Sequence, residues 1–210
     1  FLLAAFVSLA SALIGALAPS AQAAHTRATL LLSKVAAKPG DTVLAGVRLQ
    51  MDPGWHTYWK NPGDSGGPTK IEWQLPPGVS AGDIQWPLPE KLTIEGLTTY
   101  IYHDEVTLLV SLELAADLKP GPLEIKAKVS WLECDKLCLK GDASVTASLE
   151  IAAETKASAD AALLETARSK LPKPATDLSA RSAWEKPAAG DLRPLLLEWA
   201  PADPVSEPDF

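Results

Sequence analysis

The sequence is poor in the residues that most redox and metal chemistries use: its 210 residues include two cysteines, three histidines and one methionine. A single methionine excludes a Met-rich copper site, and the absence of a C-x-x-C-H string excludes covalent haem attachment. Cations are also scarce, with 19 Lys and Arg against 26 Asp and Glu, a formal charge of -7 and a pI near 5.0. That balance argues against nucleic-acid or anionic-membrane surfaces, which need clustered Lys and Arg, and leaves proteins as the expected partners. No apolar run after Ala18 is long enough to cross a bilayer, and there is no internal repeat.

The stretch Phe1 to Ala24 carries no charge and passes through Pro19 and Ser20 into Ala21-Gln22-Ala23. This is the apolar region and A-x-A cleavage pattern of a secretory signal peptide, expected over residues 1–23. A membrane anchor is the competing reading; Gly15, Pro19 and the A-x-A end favour cleavage. An exported chain enters an oxidising compartment, such as the bacterial periplasm, where two thiols tend to pair. Only one intramolecular pairing is available.

The rest of the chain reads as strands of period two. Leu123, Ile125, Ala127, Val129 and Trp131 alternate with Glu124, Lys126, Lys128 and Ser130, so one face is apolar and the other wet. The same alternation runs through Val43 to Met51, Val106 to Leu114 and Val145 to Ile151. Shorter strands are expected near Ala28 to Lys34, Trp55 to Lys60, Lys70 to Gln74 and Thr98 to His103. Turn signals fall at Lys38-Pro39-Gly40-Asp41 and Lys119-Pro120-Gly121-Pro122. The spacing predicts an all-β fold, an antiparallel sandwich of immunoglobulin type, over residues 24–153. Leu163, Leu164, Ala167 and Leu171 then repeat at helical spacing, predicting a helix from Ser158 to Leu171 that Pro172 ends. The Pro- and Ala-rich segment up to Ala189 reads as linker. Leu192 to Trp199 reads as one strand without partners, the start of a truncated second domain over 190–210.

The sharpest chemical feature is Trp131-Leu132-Glu133-Cys134-Asp135-Lys136-Leu137-Cys138-Leu139-Lys140-Gly141, expected at the tip of a hairpin. A disulfide between Cys134 and Cys138 closes a ring of about five residues, which in the chain-entropy model stabilises by only about 2 kcal/mol. A bridge that staples so little is better explained as one that opens and closes, with a structural pair or a metal site as alternatives. C-x-x-x-C is also the copper motif of Sco-type proteins, and His56 or His103 could complete such a site. A closed zinc site needs two distant histidines to converge. Lys136 and Lys140 would favour a thiolate, while Glu133 and Asp135 would oppose it.

Two further strings stand out. Gly63-Asp64-Ser65-Gly66-Gly67-Pro68 matches the surroundings of a chymotrypsin-type serine, but too little chain lies upstream for the double barrel that carries the partner His and Asp, so a Gly-rich loop is expected. Trp55-His56-Thr57-Tyr58-Trp59-Lys60, as a strand, puts the tryptophans on one face and His56 and Tyr58 on the other. His56 and Tyr58 are then candidates to shield the disulfide or bond a thiolate, or His56 is simply a surface residue. Tyr100, Tyr102 and His103 invite the same pair of readings.

Gly54-Trp55-His56-Thr57-Tyr58-Trp59-Lys60-Asn61-Pro62-Gly63-Asp64-Ser65-Gly66, then Ile84-Gln85-Trp86-Pro87, then Val129 to Cys134 with Cys138, resembles the N-terminal periplasmic domain of the DsbD/ScsB family of thiol:disulfide interchange proteins, over about Thr26 to Ala152. The resemblance implies a reversible Cys134–Cys138 pair needing no bound cofactor or metal. It implies a module taking electrons from a thioredoxin-like domain, itself reduced through a membrane domain, and passing them to oxidised periplasmic proteins. Cys138 would form the mixed disulfide and Cys134 resolve it. His56 and Tyr58 match the family's site-lining aromatic pair, Tyr102 and His103 are further candidates, and Pro87 to Gly96 would hold the place of a cap loop. This chain departs from the best-known members in having three residues rather than five between its cysteines and no aromatic in Pro87 to Gly96. Both departures look more like the ScsB branch, associated with copper tolerance.

Overall fold

The computed structural model describes residues 25–173, 179–184, 186 and 194–200; the expected signal peptide lies outside them. The chain forms strands β1 (Thr26–Leu32), β2 (Lys34–Ala37), β3 (Thr42–Met51), β4 (His56–Gly63), β5 (Lys70–Gln74), β6 (Val79–Ala81) and β7 (Glu90–Ile94). Next come β8 (Leu97–His103), β9 (Glu105–Leu114), β10 (Gly121–Cys134), β11 (Cys138–Ile151) and β12 (Lys156–Ala157), then helix α1 (Ala161–Ser169) and a hairpin of β13 (Ser179–Trp184) and β14 (Leu195–Ala200). One sheet has the order β1-β3-β9-β6; the other runs β12-β2-β11-β10-β4-β8-β7, with β5 also on β10. This is the immunoglobulin-like sandwich that the alternation predicts.

The core lies between the sheets, where alternate residues of one strand meet those of another. Val43, Ala45, Val47 and Leu49 of β3 and Val106, Leu108, Val110 and Leu112 of β9 face Ile125, Ala127, Val129 and Trp131 of β10. The Lys38–Asp41 turn forms as expected, with Gly40 at φ +83° and the Asp41 amide donating to the Lys38 carbonyl. Hydrogen bonds from Thr155, Lys34 and the Lys38 amide hold the Asp41 carboxyl down at a pKa of about 2, which ties the turn to the chain leaving β11. Contrary to a purely antiparallel sandwich, β2 pairs with β11 in parallel.

The helix is shorter than its apolar repeat. Ser158 Oγ accepts from the Asp160 amide and donates to the Leu32 carbonyl, so the chain is fastened to β1 before the first helical turn. At the other end Lys170 bonds back to Ala167. Leu164 and Ala167 pack with Leu31 and Leu109 on the outer surface of the first sheet. Gly46 makes this possible, since a Cβ there would stand 2.3 Å from Leu164 Cδ2. That contact explains why Leu109, outside the alternation of β9, is buried. The strand expected at Leu192 to Trp199 is found at Leu195–Ala200, and it does have a partner: Ser179–Trp184, inside the segment read as linker, pairs along its whole length. No helix among the described residues is long and apolar enough to cross a membrane.

Candidate functional site

Strands β10 and β11 form one long hairpin whose register ends Trp131↔Gly141, Glu133↔Leu139, Cys134↔Cys138. The terminal pair is joined by a disulfide with its Cα atoms 4.2 Å apart, close to the spacing of directly opposed antiparallel partners. The two sulfurs sit in different environments: Cys134 is only 2% exposed, whereas Cys138 is exposed. Leu137, beside Cys138, leaves 56% of its surface in solvent.

Alternation sorts the neighbouring residues onto two faces. Trp131 and Glu133 point inward. Gly141 leaves room for the Trp131 indole, which a Cβ would meet at 2.5 Å. The indole Nε1–H donates to Glu133 Oε2 at 3.0 Å, and the His25 amide donates to Glu133 Oε1 at 3.0 Å. Both carboxylate oxygens of this buried group are thus engaged away from the sulfurs. His25 stacks on Trp55 at 3.9 Å between ring centroids. These bonds fix the end of β10 and the start of β1 together.

Leu132 and Cys134 point outward. Strand β4 lies alongside with His56 opposite Cys134, and β8 follows with His103 opposite His56 and Ile101 opposite Tyr58. Tyr58, Ile101 and Cys134 form a small buried cluster outside the main core, covered further by Leu92 and Leu132. The Tyr58 hydroxyl donates to Cys134 Sγ at 3.0 Å and lies 3.9 Å from Cys138 Sγ. His56 Nε2 is 3.3 Å from that same hydroxyl, and the His56 and His103 rings meet edge-on at 5.8 Å. Burial, with the neighbouring charge of His103, lowers the pKa of His56 against an opposing pull from Asp135. Burial raises that of Tyr58.

Four of the six candidates therefore meet here at once, Cys134, Cys138, His56 and Tyr58, and His103 adjoins them. Tyr102 does not. The alternation of β8 turns it inward, where its hydroxyl donates to the Pro87 carbonyl at 2.8 Å and burial raises its pKa. It anchors the segment beginning at Pro87 and does not reach the sulfurs. That segment continues as β7, and its contribution to the disulfide cluster is the aliphatic Leu92. Lys136 and Lys140 are exposed.

Two contributors were invisible in the sequence. Leu92 shares β7 with one other apolar residue, Ile94, too few to mark a buried face. Gly66 lies in the Gly63–Pro68 string, and its position is set by contact: at φ +106° a Cβ would stand 2.2 Å from the Tyr58 ring. The loop is held there by Asp64, whose amide donates to the Thr98 carbonyl and whose Oδ2 accepts from the Thr98 amide. The protease-like string is thus a brace for Tyr58. Among the described residues no group of three or more His, Cys, Asp or Glu side chains is placed to hold a metal ion.

The model of the family described as thiol:disulfide interchange protein DsbD, N-terminal, matches residues 27–150. The chain belongs to this family. The DsbD N-terminal match takes in β1 to β11 to within a residue at each end, the Cys134–Cys138 turn included. Among solved structures, the N-terminal periplasmic domain of ScsB from Proteus mirabilis is similar in fold, at 24% identity and a TM-score of 0.51. The match covers 75% of this chain and 57% of that one, so this chain spans little more than half of the ScsB domain's length. A complex between the DsbD N-terminal and PilB N-terminal domains of Neisseria meningitidis also matches, at 15% identity and a TM-score of 0.30, over 61% of this chain and 86% of that one. No curated protein matches the chain. Family and disulfide together identify a thiol-disulfide interchange module.

Proposed function

We propose that this domain is a periplasmic electron relay, a protein-disulfide reductase module working through Cys134 and Cys138. The observation that carries the reading is the unequal exposure of two bonded sulfurs, one open to solvent and one buried against Tyr58. Attack on a disulfide needs in-line access to one sulfur and a stabilised thiolate at the other. A thiolate of a thioredoxin-like donor attacks Cys138 Sγ, the Cys134–Cys138 bond breaks, and its electron pair leaves on Cys134. A second donor thiolate attacks the donor sulfur of the mixed disulfide, releasing Cys138 as thiolate and the donor as its own disulfide. The reduced domain then runs the sequence outward. Cys138 attacks a client disulfide, Cys134 attacks Cys138 to close the ring, and the client leaves with two thiols. Exposed Leu137 offers the docking partner an apolar contact beside the reacting sulfur. No step calls for a bound cofactor.

The test is the redox equilibrium of the pair, read by thiol alkylation and mass shift in glutathione or dithiothreitol buffers of graded potential. A potential between roughly -180 and -270 mV, the span of exchange proteins, is the expected result. A value below about -300 mV marks a structural staple and sinks the relay.

A further inference from the structure

Cys134 poses a problem that its exposed partner does not. A buried thiol ionises with difficulty, because burial penalises the charged form, yet ring closure requires a Cys134 thiolate and ring opening creates one. The side chains around it form a hydrogen-bonded line leading outward: Cys134 Sγ to Tyr58 Oη at 3.0 Å, Tyr58 Oη to His56 Nε2 at 3.3 Å, then the edge of His103, which is itself partly exposed. Tyrosine hydroxyl and imidazole each donate and accept, so protons can pass along such a line in either direction.

We propose that Tyr58 and His56 form a proton relay to the buried sulfur, with Tyr58 the catalytic contact on Cys134 and His56 the positioning residue that exchanges the proton with water. The inference rests on the interchange reading. When the ring opens, the S–S electron pair stays on Cys134; Tyr58 gives its hydroxyl proton to Sγ, His56 gives the Nε2 proton to Tyr58 Oη, and water resupplies His56 at Nδ1. When the ring closes, the Cys134 proton goes to Tyr58 Oη, the hydroxyl proton goes to His56 Nε2, and His56 releases one at Nδ1. Meanwhile Sγ attacks Cys138 and the partner leaves as thiolate. No proton is gained or lost by the protein's tyrosine or imidazole over the step. The groups facing His56 are His103 of β8, Tyr58 of its own strand, Cys134 of β10 and Asp135 of the hairpin turn. Burial and His103 keep the resting ring neutral, in the form able to accept a proton, and Asp135 steadies the cation that forms in passing.

The experiment uses the whole chain with glutathione held on Cys138 as a mixed disulfide, and follows glutathione release from pH 5 to 9. In the wild type the rate is expected to inflect where His56 titrates. His56→Gln keeps a donor to Tyr58 but cannot carry a proton onward; it is expected to flatten that inflection and slow closure about tenfold or more near neutral pH, as loss of general acid-base help does. Tyr58→Phe should do the same, and the double variant no worse than either, because both act in one line. Alkylation of exposed Cys138 should keep its wild-type rate. A His56→Gln protein that closes with the wild-type rate and profile overturns the relay. If the wild-type ring stays closed in glutathione buffers at every ratio, the interchange reading fails along with it; normal opening and closing that ignores His56 removes the relay alone.

Discussion

The inner and outer faces of β4 and β10 hold different kinds of matter. Inward, Trp131 and Trp55 join the main core, Glu133 accepts from the Trp131 indole and the His25 amide, and the Thr57 hydroxyl donates to Met51 Sδ. Outward, one residue along each strand, His56, Tyr58 and Cys134 form a line of groups that donate, accept and titrate. Period-two geometry lets a single strand be structural and chemical at once, because adjacent residues never share a face. The outer cluster is small, so it adds little to the fold's stability beside the main core.

Substitutions on the two faces should therefore separate stability from reactivity. The largest effect is expected inside. Trp131→Ala removes a buried indole and leaves Glu133 one donor short, which should cost about 3–5 kcal/mol by urea denaturation; the redox potential of any protein that still folds should shift little. A potential that tracks the stability loss would show that the faces are not independent. Gly66→Ala is intermediate. Its methyl would enter the Tyr58 ring at a backbone angle that L residues avoid, so the loop must move, at about 1–3 kcal/mol. With the Tyr58 brace displaced, alkylation of Cys134 in the reduced protein should quicken; an unchanged rate would mean that Leu92 and Leu132 shield the sulfur by themselves.

The smallest effect concerns pH. His56 has a folded pKa below its ordinary 6.5, so the folded state binds fewer protons than the unfolded one across that interval. Its contribution to stability is complete above pH 6.5 and is lost as pH falls through the depressed folded value. Urea midpoints at successive pH values below 6.5 should fall more steeply for the wild type than for His56→Gln. Equal slopes would place the His56 ring in a water-like setting.

The frame and the paired cysteines are legible in the sequence. The four long strands were legible because each has one wet face, and the strictest alternation, Leu123 to Trp131, lies within β10. Lys70–Gln74 was located to the residue. Strands β2, β6 and β12 have four residues or fewer, so period two has little to mark, and β7 falls in the segment read as a cap loop. The Ser179–Trp184 strand escaped because Ser-Ala-Arg-Ser-Ala-Trp shows neither apolar alternation nor β-branching. In the site, the parity of β4 correctly separated His56 and Tyr58 from the tryptophans. Tyr102 was grouped with His103 by proximity in sequence, although neighbours on a strand face opposite ways. Gly66 and Leu92 act through contacts across strands, which no local pattern encodes.

The notch at Gly46 bears on where this domain ends. Residues 27–150 match the family, yet the Leu164 side chain fills a gap in the first sheet over Leu31 and Leu109. A chain cut after Ile151 would lose edge strand β12 and keep the other sandwich strands and the disulfide, while opening an oily dimple on the far side of the sandwich. In this packing α1 is the stopper that keeps the dimple closed.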